Sequence, residues 1–212
     1  MRSSSEWKTR KHSVERFDIQ QFETDLVKQG YLRIAGVDEA GRGALAGPVV
    51  AAAVILPPGC ELSGLADSKQ LTSAQREVFF ARIEKDAIGV GVGIVEHQII
   101  DQINILQATM LAMQKAVESI IPPPDYVLVD GNQLPLVQMS GRAVIKGDSL
   151  VQSIAAASVM AKVTRDRIMV AFDVEYPGFG FKKHKGYGTL QHRQAIMELD
   201  PCLIHRTSFK LT

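Results

Sequence analysis

At 212 residues the chain is sized for one domain with a sizeable core, and 24 basic against 23 acidic side chains leave a formal charge of only +1. That balance excludes a globally basic nucleic-acid binder, so a cationic surface must come from local clusters such as Lys182, Lys183, His184 and Lys185, or Lys162, Arg165 and Arg167. Two cysteines in no CxxC or Cys/His spacing exclude a disulfide framework and a zinc site, and no stretch is apolar and long enough to span a membrane; a soluble cytoplasmic monomer is expected.

Residues 1–12 are polar and basic without apolar periodicity, and are expected to be disordered. Val14, Phe17, Ile19, Phe22 and Leu26 then fall at mostly helical spacing over residues 14–29, which makes 1–30 a partly disordered or helical extension to a single domain over 31–212. The spacing predicts a short buried strand over 34–38 and a second over 48–56, whose nearly continuous Val, Ala, Ile and Leu suit burial on both faces. A helix over 73–86 and a Gly/Val strand over 89–95 follow. Ile103, Leu106, Met110, Met113 and Val117 trace one face of a helix between Asp101 and the Pro122-Pro123-Pro124 stop, its methionines serving as core filling. Short strands over 126–129 and 143–145 come next, then a helix over 149–175 with Ser149 as cap and an alanine stripe, and a last helix over 189–199. The fold class is α/β, with no internal repeat.

Candidate chemistry begins in Gly-Val-Asp-Glu-Ala-Gly-Arg-Gly at residues 36–43. Adjacent acids at the end of an apolar run repel one another and resist burial, so Asp38 and Glu39 suggest a cation between them; an ordinary strand-to-turn exit is the plain alternative. Asp130 and Asp148 close the next two strands, and α/β sheets bind ligands beyond their strands' carboxyl ends. Taken singly, Asp130 reads as a turn residue and Asp148 as a helix cap. Together the four acids make an oxygen-rich site suited to Mg2+ or Mn2+, and the chemistry such a pair of ions supports is two-metal phosphoryl transfer.

These segments, with D-S-K-Q-L at 67–71, V-D-G-N at 129–132, K-G-D-S at 146–149, A-A-A-S-V-M-A-K-V-T-R-D at 155–166 and H-K-G-Y-G-T at 184–189, resemble bacterial ribonuclease HII from about Ala35 to Phe209. The resemblance implies an RNase H-like fold: a mixed central β-sheet flanked by α-helices, with a C-terminal helical segment. It implies an endonuclease acting on RNA–DNA hybrids and on duplex DNA containing single ribonucleotides, cutting on the 5′ side to leave 3′-hydroxyl and 5′-phosphate ends, and serving ribonucleotide removal. The implied metal ligands are Asp38, Glu39, Asp130 and Asp148. Gly41, Arg42 and Gly43 would contact the 2′-hydroxyl at the cleavage junction, the group that separates RNA from DNA. Tyr187 would pack on the following deoxy sugar, whereas outside this motif it would read as a surface tyrosine. Lys69, Lys146, Lys162, Arg165, Lys183 and Lys185 are candidate phosphate contacts, with a solvated charged face as the alternative for each. His184 also reads as structural.

The pattern has one departure: Gln152 stands where a proline or an apolar residue is expected, which threatens packing at a helix start. Arg42, Asp148 and the short N-terminal segment separate the chain from ribonuclease HIII. The rival functions are another nuclease or resolvase on the same fold, indifferent to a 2′-hydroxyl, and a noncatalytic nucleic-acid binder.

Overall fold

A computed structural model describes residues 21–65 and 71–211. The expected disorder over 1–12, the helical positions Val14, Phe17 and Ile19, most of D-S-K-Q-L and the candidate contact Lys69 lie outside the described residues. The elements are α1 (Gln21–Lys28), β1 (Ile34–Ala40), β2 (Val49–Ile55), α2 (Ser73–Asp86), β3 (Gly89–Val95), α3 (His97–Glu118), β4 (Tyr126–Asp130), β5 (Ser140–Val144), α4 (Gln152–Glu175), α5 (Phe181–His184) and α6 (Leu190–Leu199). The strands form one mixed sheet in the order β3-β2-β1-β4-β5, antiparallel from β1 to β3 and parallel from β1 to β5. Among the described residues no helix is long and apolar enough to cross a membrane.

The sheet is covered on both faces, and β2 shows why its sequence is apolar throughout. Val49, Ala51, Ala53 and Ile55 enter the core beneath α3, while Ala52 and Val54 enter the core beneath α4. In α4, Ala155, Ala156, Ala157 and Ala161 are fully buried, so the expected alanine stripe does bring that helix close to the sheet. At Gly36 the approach leaves no room for a side chain: a Cβ would stand 2.1 Å from the Ser153 carbonyl carbon and 2.2 Å from the Ile154 nitrogen. The helical backbone of α4 thus rests directly on β1, two residues before Asp38.

Four boundaries differ by two residues or more from those the spacing predicts, β5 among them, which runs Ser140–Val144 where 143–145 is expected. β1 runs two residues beyond 38, because its antiparallel ladder with β2 continues through Asp38↔Ala52, Glu39↔Ala51 and Ala40↔Val50. The helix expected from Asp101 starts at His97 and is broken at Asn104 (φ 65°, ψ 164°), whose Oδ1 accepts from the N–H groups of Leu106 and Gln107 and restarts the helix. Ser149 does not cap α4; it ends a 3-10 turn at Gly147–Ser149, and α4 begins at Gln152 after Val151, which offers no side-chain cap. Gln152 itself is buried and bonded, its Oε1 accepting from Leu62 N–H at 3.3 Å and its Nε2 donating to the Cys60 carbonyl. The expected packing defect is therefore a polar tie between the start of α4 and the loop after β2.

Gly36→Ala forces β1 and α4 apart and is expected to lower stability by about 3 kcal/mol, read as a reduced urea midpoint with an unchanged denaturant slope.

Candidate active site

The register of the central strands sets the acids. β1 and β4 pair in parallel with Val37 opposite Val129, so the next step along both strands brings Asp38 beside Asp130, on chains about 4.8 Å apart. Period-two alternation keeps Asp38 on the face of Gly36, towards α4. Asp38 is only 6% exposed, and its Oδ1 accepts from the Glu39 N–H at 2.7 Å. Burial pushes its carboxyl well above the usual range; the neighbouring Glu39 and Asp130 add to this, and the hydroxyl of Ser158 on α4 opposes it. Glu39 is also raised, first by burial and then by Asp130, against the pull of Arg42, whose Nη1 is 3.6 Å from Glu39 Oε1.

Asp130 ends β4, and its Oδ1 accepts from the Gly147 N–H at 2.7 Å. This bond carries the 3-10 turn to the end of β4 and with it Asp148, buried and 4% exposed, whose Oδ1 accepts from Ser149 Oγ at 3.4 Å. Asp38, Glu39 and Asp130 are thus electrostatically coupled, and Asp148 stands one residue from a group bonded to Asp130. Among the described residues, however, no three His, Cys, Asp or Glu side chains are gathered closely enough to hold a metal ion as they stand. Asp38 and Asp130 accept instead from backbone N–H groups, Glu39 faces Arg42, and Asp148 accepts from the Ser149 hydroxyl.

Beside the acids lies a cleft of about 410 Å³ lined by Glu39, Gly41, Arg42, Gly43, Ser158, Lys162 and Tyr187, with Arg76 of α2 on its wall. Its floor is a short three-segment arrangement. Leu45 N–H donates to the Gly186 carbonyl at 2.8 Å, Ala44 bridges to Tyr187, Gly47 N–H donates to Ile204 O, and Arg206 N–H donates to Leu45 O. Gly41, at φ 93°, sits against Arg165: a Cβ there would lie 1.9 Å from Nε. The Tyr187 ring faces two cations, Lys162 Nζ at 5.6 Å and Arg165 Cζ at 5.3 Å from its centroid.

Arg165 corrects one expectation. It is fully buried, donating to the carbonyls of Pro48 at 2.9 Å, Lys185 at 2.9 Å and Ala46 at 3.0 Å, so its guanidinium is committed within the protein and does not reach a phosphate. Lys162 lines the cleft but pairs with Asp166 at 2.6 Å. Lys146 and Lys183 are exposed, and Lys185 Nζ is bonded to the Lys182 carbonyl. Both Lys146 (φ 58°) and Lys185 (φ 53°) have left-handed backbones.

Four residues at this site escape sequence reading. Ser158 had a legible signal, a hydroxyl inside an alanine stripe four residues before Lys162, on the same helical face. Arg76 had none. Arg206 is fully buried and donates to the carbonyls of Gly41, Arg42, Gly47 and Pro48; burial and the like-charged Arg165 lower its pKa, yet it remains a cation at neutral pH. His192, fully buried, accompanies His184 and His205 beneath the Tyr187 loop.

The acids close the central strands of a mixed sheet with helices on both faces, an architecture shared with a solved ribonuclease H. The family model described as Ribonuclease HII matches residues 35–212. Ribonuclease HII of Geobacter sulfurreducens is 54% identical over 192 residues, covering 91% of this chain and 88% of that protein. The crystal structure of ribonuclease H2 from Pyrococcus horikoshii OT3 superposes with a TM-score of 0.73 at 27% identity, covering 84% of this chain and 94% of that one. Bst-RNase HIII in complex with Mn2+ has the same fold, with a TM-score of 0.70 at 18% identity, covering 86% and 68% of the two chains. The chain belongs to the ribonuclease HII family.

The buried histidines make stability depend on acid. Burial lowers the pKa of His192 to about 4, and those of His184 and His205 also fall. Between the ordinary 6.5 and about 4 the unfolded chain binds a proton that folded His192 refuses, so its contribution is complete above 6.5 and is lost as pH falls towards 4. The urea midpoint is expected to drop from pH 7.5 to 5, with a smaller drop in His192→Gln; identical drops would show that His192 titrates normally.

Proposed function

We propose that the protein is an endonuclease that cleaves the RNA strand of RNA–DNA hybrids and cuts on the 5′ side of single ribonucleotides embedded in duplex DNA. The products carry 3′-hydroxyl and 5′-phosphate ends, and the biological role is removal of ribonucleotides from DNA. The observation that carries this reading is the juxtaposition of Asp38 and Asp130 at adjacent strand ends, beside a cleft shared by Gly41–Gly43 and Tyr187.

The donor set fits a divalent cation. It consists of carboxylate oxygens, and buried Asp38 bears the repulsion of two further acids, which a cation relieves. Asp38, Glu39, Asp130 and Asp148 would hold Mg2+ or Mn2+, and Mn2+ in Bst-RNase HIII supports that choice. When bound, such ions activate water and stabilise the leaving oxygen of an in-line displacement. Glu39 would exchange Arg42 for the cation, releasing the guanidinium to the cleft. Gly41–Gly43 offer main-chain groups to the 2′-hydroxyl; Arg206 holds the Gly41 and Arg42 carbonyls from behind. Tyr187 presents its ring to the neighbouring deoxy sugar, where an extra hydroxyl would lose fit.

A duplex with one ribonucleotide is expected to be cut with Mg2+ or Mn2+ and left intact with EDTA, while an all-DNA duplex survives. Equal cutting of both duplexes would point instead to a nuclease indifferent to the sugar, and none of either to a noncatalytic binder. Asp38→Asn should abolish turnover while gel-shift binding persists. Tyr187→Ala should lower the rate on the single-ribonucleotide duplex relative to a uniform hybrid.

A further inference from the structure

Tyr187 lies between Gly186 and Gly188, so its main chain has freedom that something else must remove. Its N–H donates to the His184 carbonyl at 3.0 Å, and its carbonyl accepts from Thr189 N–H at 2.8 Å. That carbonyl also lies 3.0 Å from His192 Nδ1. A carbonyl can only accept, so Nδ1 carries the proton, and Nε2 of the neutral ring is bare. His205 Nε2, 3.1 Å from that bare nitrogen, must be the donor to it. The Nδ1 of neutral His205 is then an acceptor: the Cys202 thiol, 3.2 Å away, donates to it, while the Cys202 carbonyl, also 3.2 Å from Nδ1, takes its proton from the main-chain N–H of His205 at 3.1 Å. His184 is assigned in the same way: Nε2 donates to the Phe179 carbonyl at 2.8 Å, and Nδ1 accepts from Gly186 N–H at 3.2 Å. It stacks on His192 with centroids 4.4 Å apart and planes 18° from parallel.

We propose that His192, set in one tautomer by His205, is a positioning residue that fixes the main chain of Tyr187 and thereby the angle at which its ring meets the sugar. This rests on the reading of Tyr187 as the junction sensor. The bond is local to the carbonyl of that residue, and the relay behind it runs through buried rings with no water-exposed partner needed to choose the tautomer.

Two substitutions at one position separate this role from simple packing. The amide nitrogen of asparagine reaches the place of Nδ1 and can donate to the Tyr187 carbonyl; that of glutamine reaches the place of Nε2 and cannot. The readout is the ratio of cleavage rates on a single-ribonucleotide duplex and on a uniform RNA–DNA hybrid, at one pH and one metal concentration, so that shared chemistry cancels. His192→Gln is expected to lower the ratio about fivefold, the loss of one neutral hydrogen bond, and His192→Asn to keep it within about twofold of the parent. An unchanged ratio in His192→Gln, or equal losses in both variants, overturns the proposal. If His192→Gln does not fold, His205→Gln, which keeps a donor at Nε2, should retain the ratio that His205→Met loses; equal ratios in that pair overturn it too. Tyr187→Ala is measured alongside: if it leaves the ratio unmoved, the reading of Tyr187 fails first, whereas a fall there with none in His192→Gln removes only the positioning role.

Discussion

The contact of α4 with β1 at Gly36 is the constraint from which the site follows. With no side chain between the two backbones, the helix lies at its closest approach just where the strand is about to present Asp38. Ser158, one and a half turns along α4 from Ser153, consequently reaches the Asp38 carboxyl, and Lys162 one turn further reaches the Tyr187 ring. The same face of one helix therefore touches both the acids and the Tyr187 loop. A wider helix–sheet separation would leave the strand order intact and take those side chains out of range.

The second organising element is a pair of buried guanidinium groups that donate to main-chain carbonyls. Arg165 and Arg206 gather carbonyls from Gly41, Arg42, Ala46, Gly47, Pro48 and Lys185, and so join loops that are more than a hundred residues apart in the chain. Burying cations this way is costly unless their donors are satisfied, and every nitrogen of both groups has at least one carbonyl. The Arg42 side chain, by contrast, is half exposed and pairs with Glu39.

Much of this was legible in the chain. The period-two and unbroken apolar runs located β1 to β4 to within two residues and caught only the end of β5, and the acids at the ends of the β1 and β4 runs singled out the positions that the β1–β4 register brings together. The errors have physical causes. β1 is longer than the run expected over 34–38 because its ladder with β2 continues through Glu39 and Ala40. α4 starts late because a 3-10 turn is inserted to deliver Asp148, and local capping preference does not register the Asp130–Gly147 bond that holds it. Arg165 looked like a phosphate ligand because charge in a sequence says nothing of burial. Arg206, His192 and His205 were invisible for a related reason: their partners are backbone carbonyls and one another, and only tertiary structure supplies those.

Gln152 carries a further consequence. An apolar residue at the start of α4 would be indifferent to a small sliding or rotation of the helix, whereas this amide has its two ends assigned to Leu62 and Cys60 and loses both if the helix turns by a single residue. It acts as an index pin: it adds little to the depth of the native well but removes neighbouring wells of similar shape. Since Ser158 and Lys162 ride on the same rigid rod, the phase of α4 is what a polar side chain in an otherwise oily joint secures.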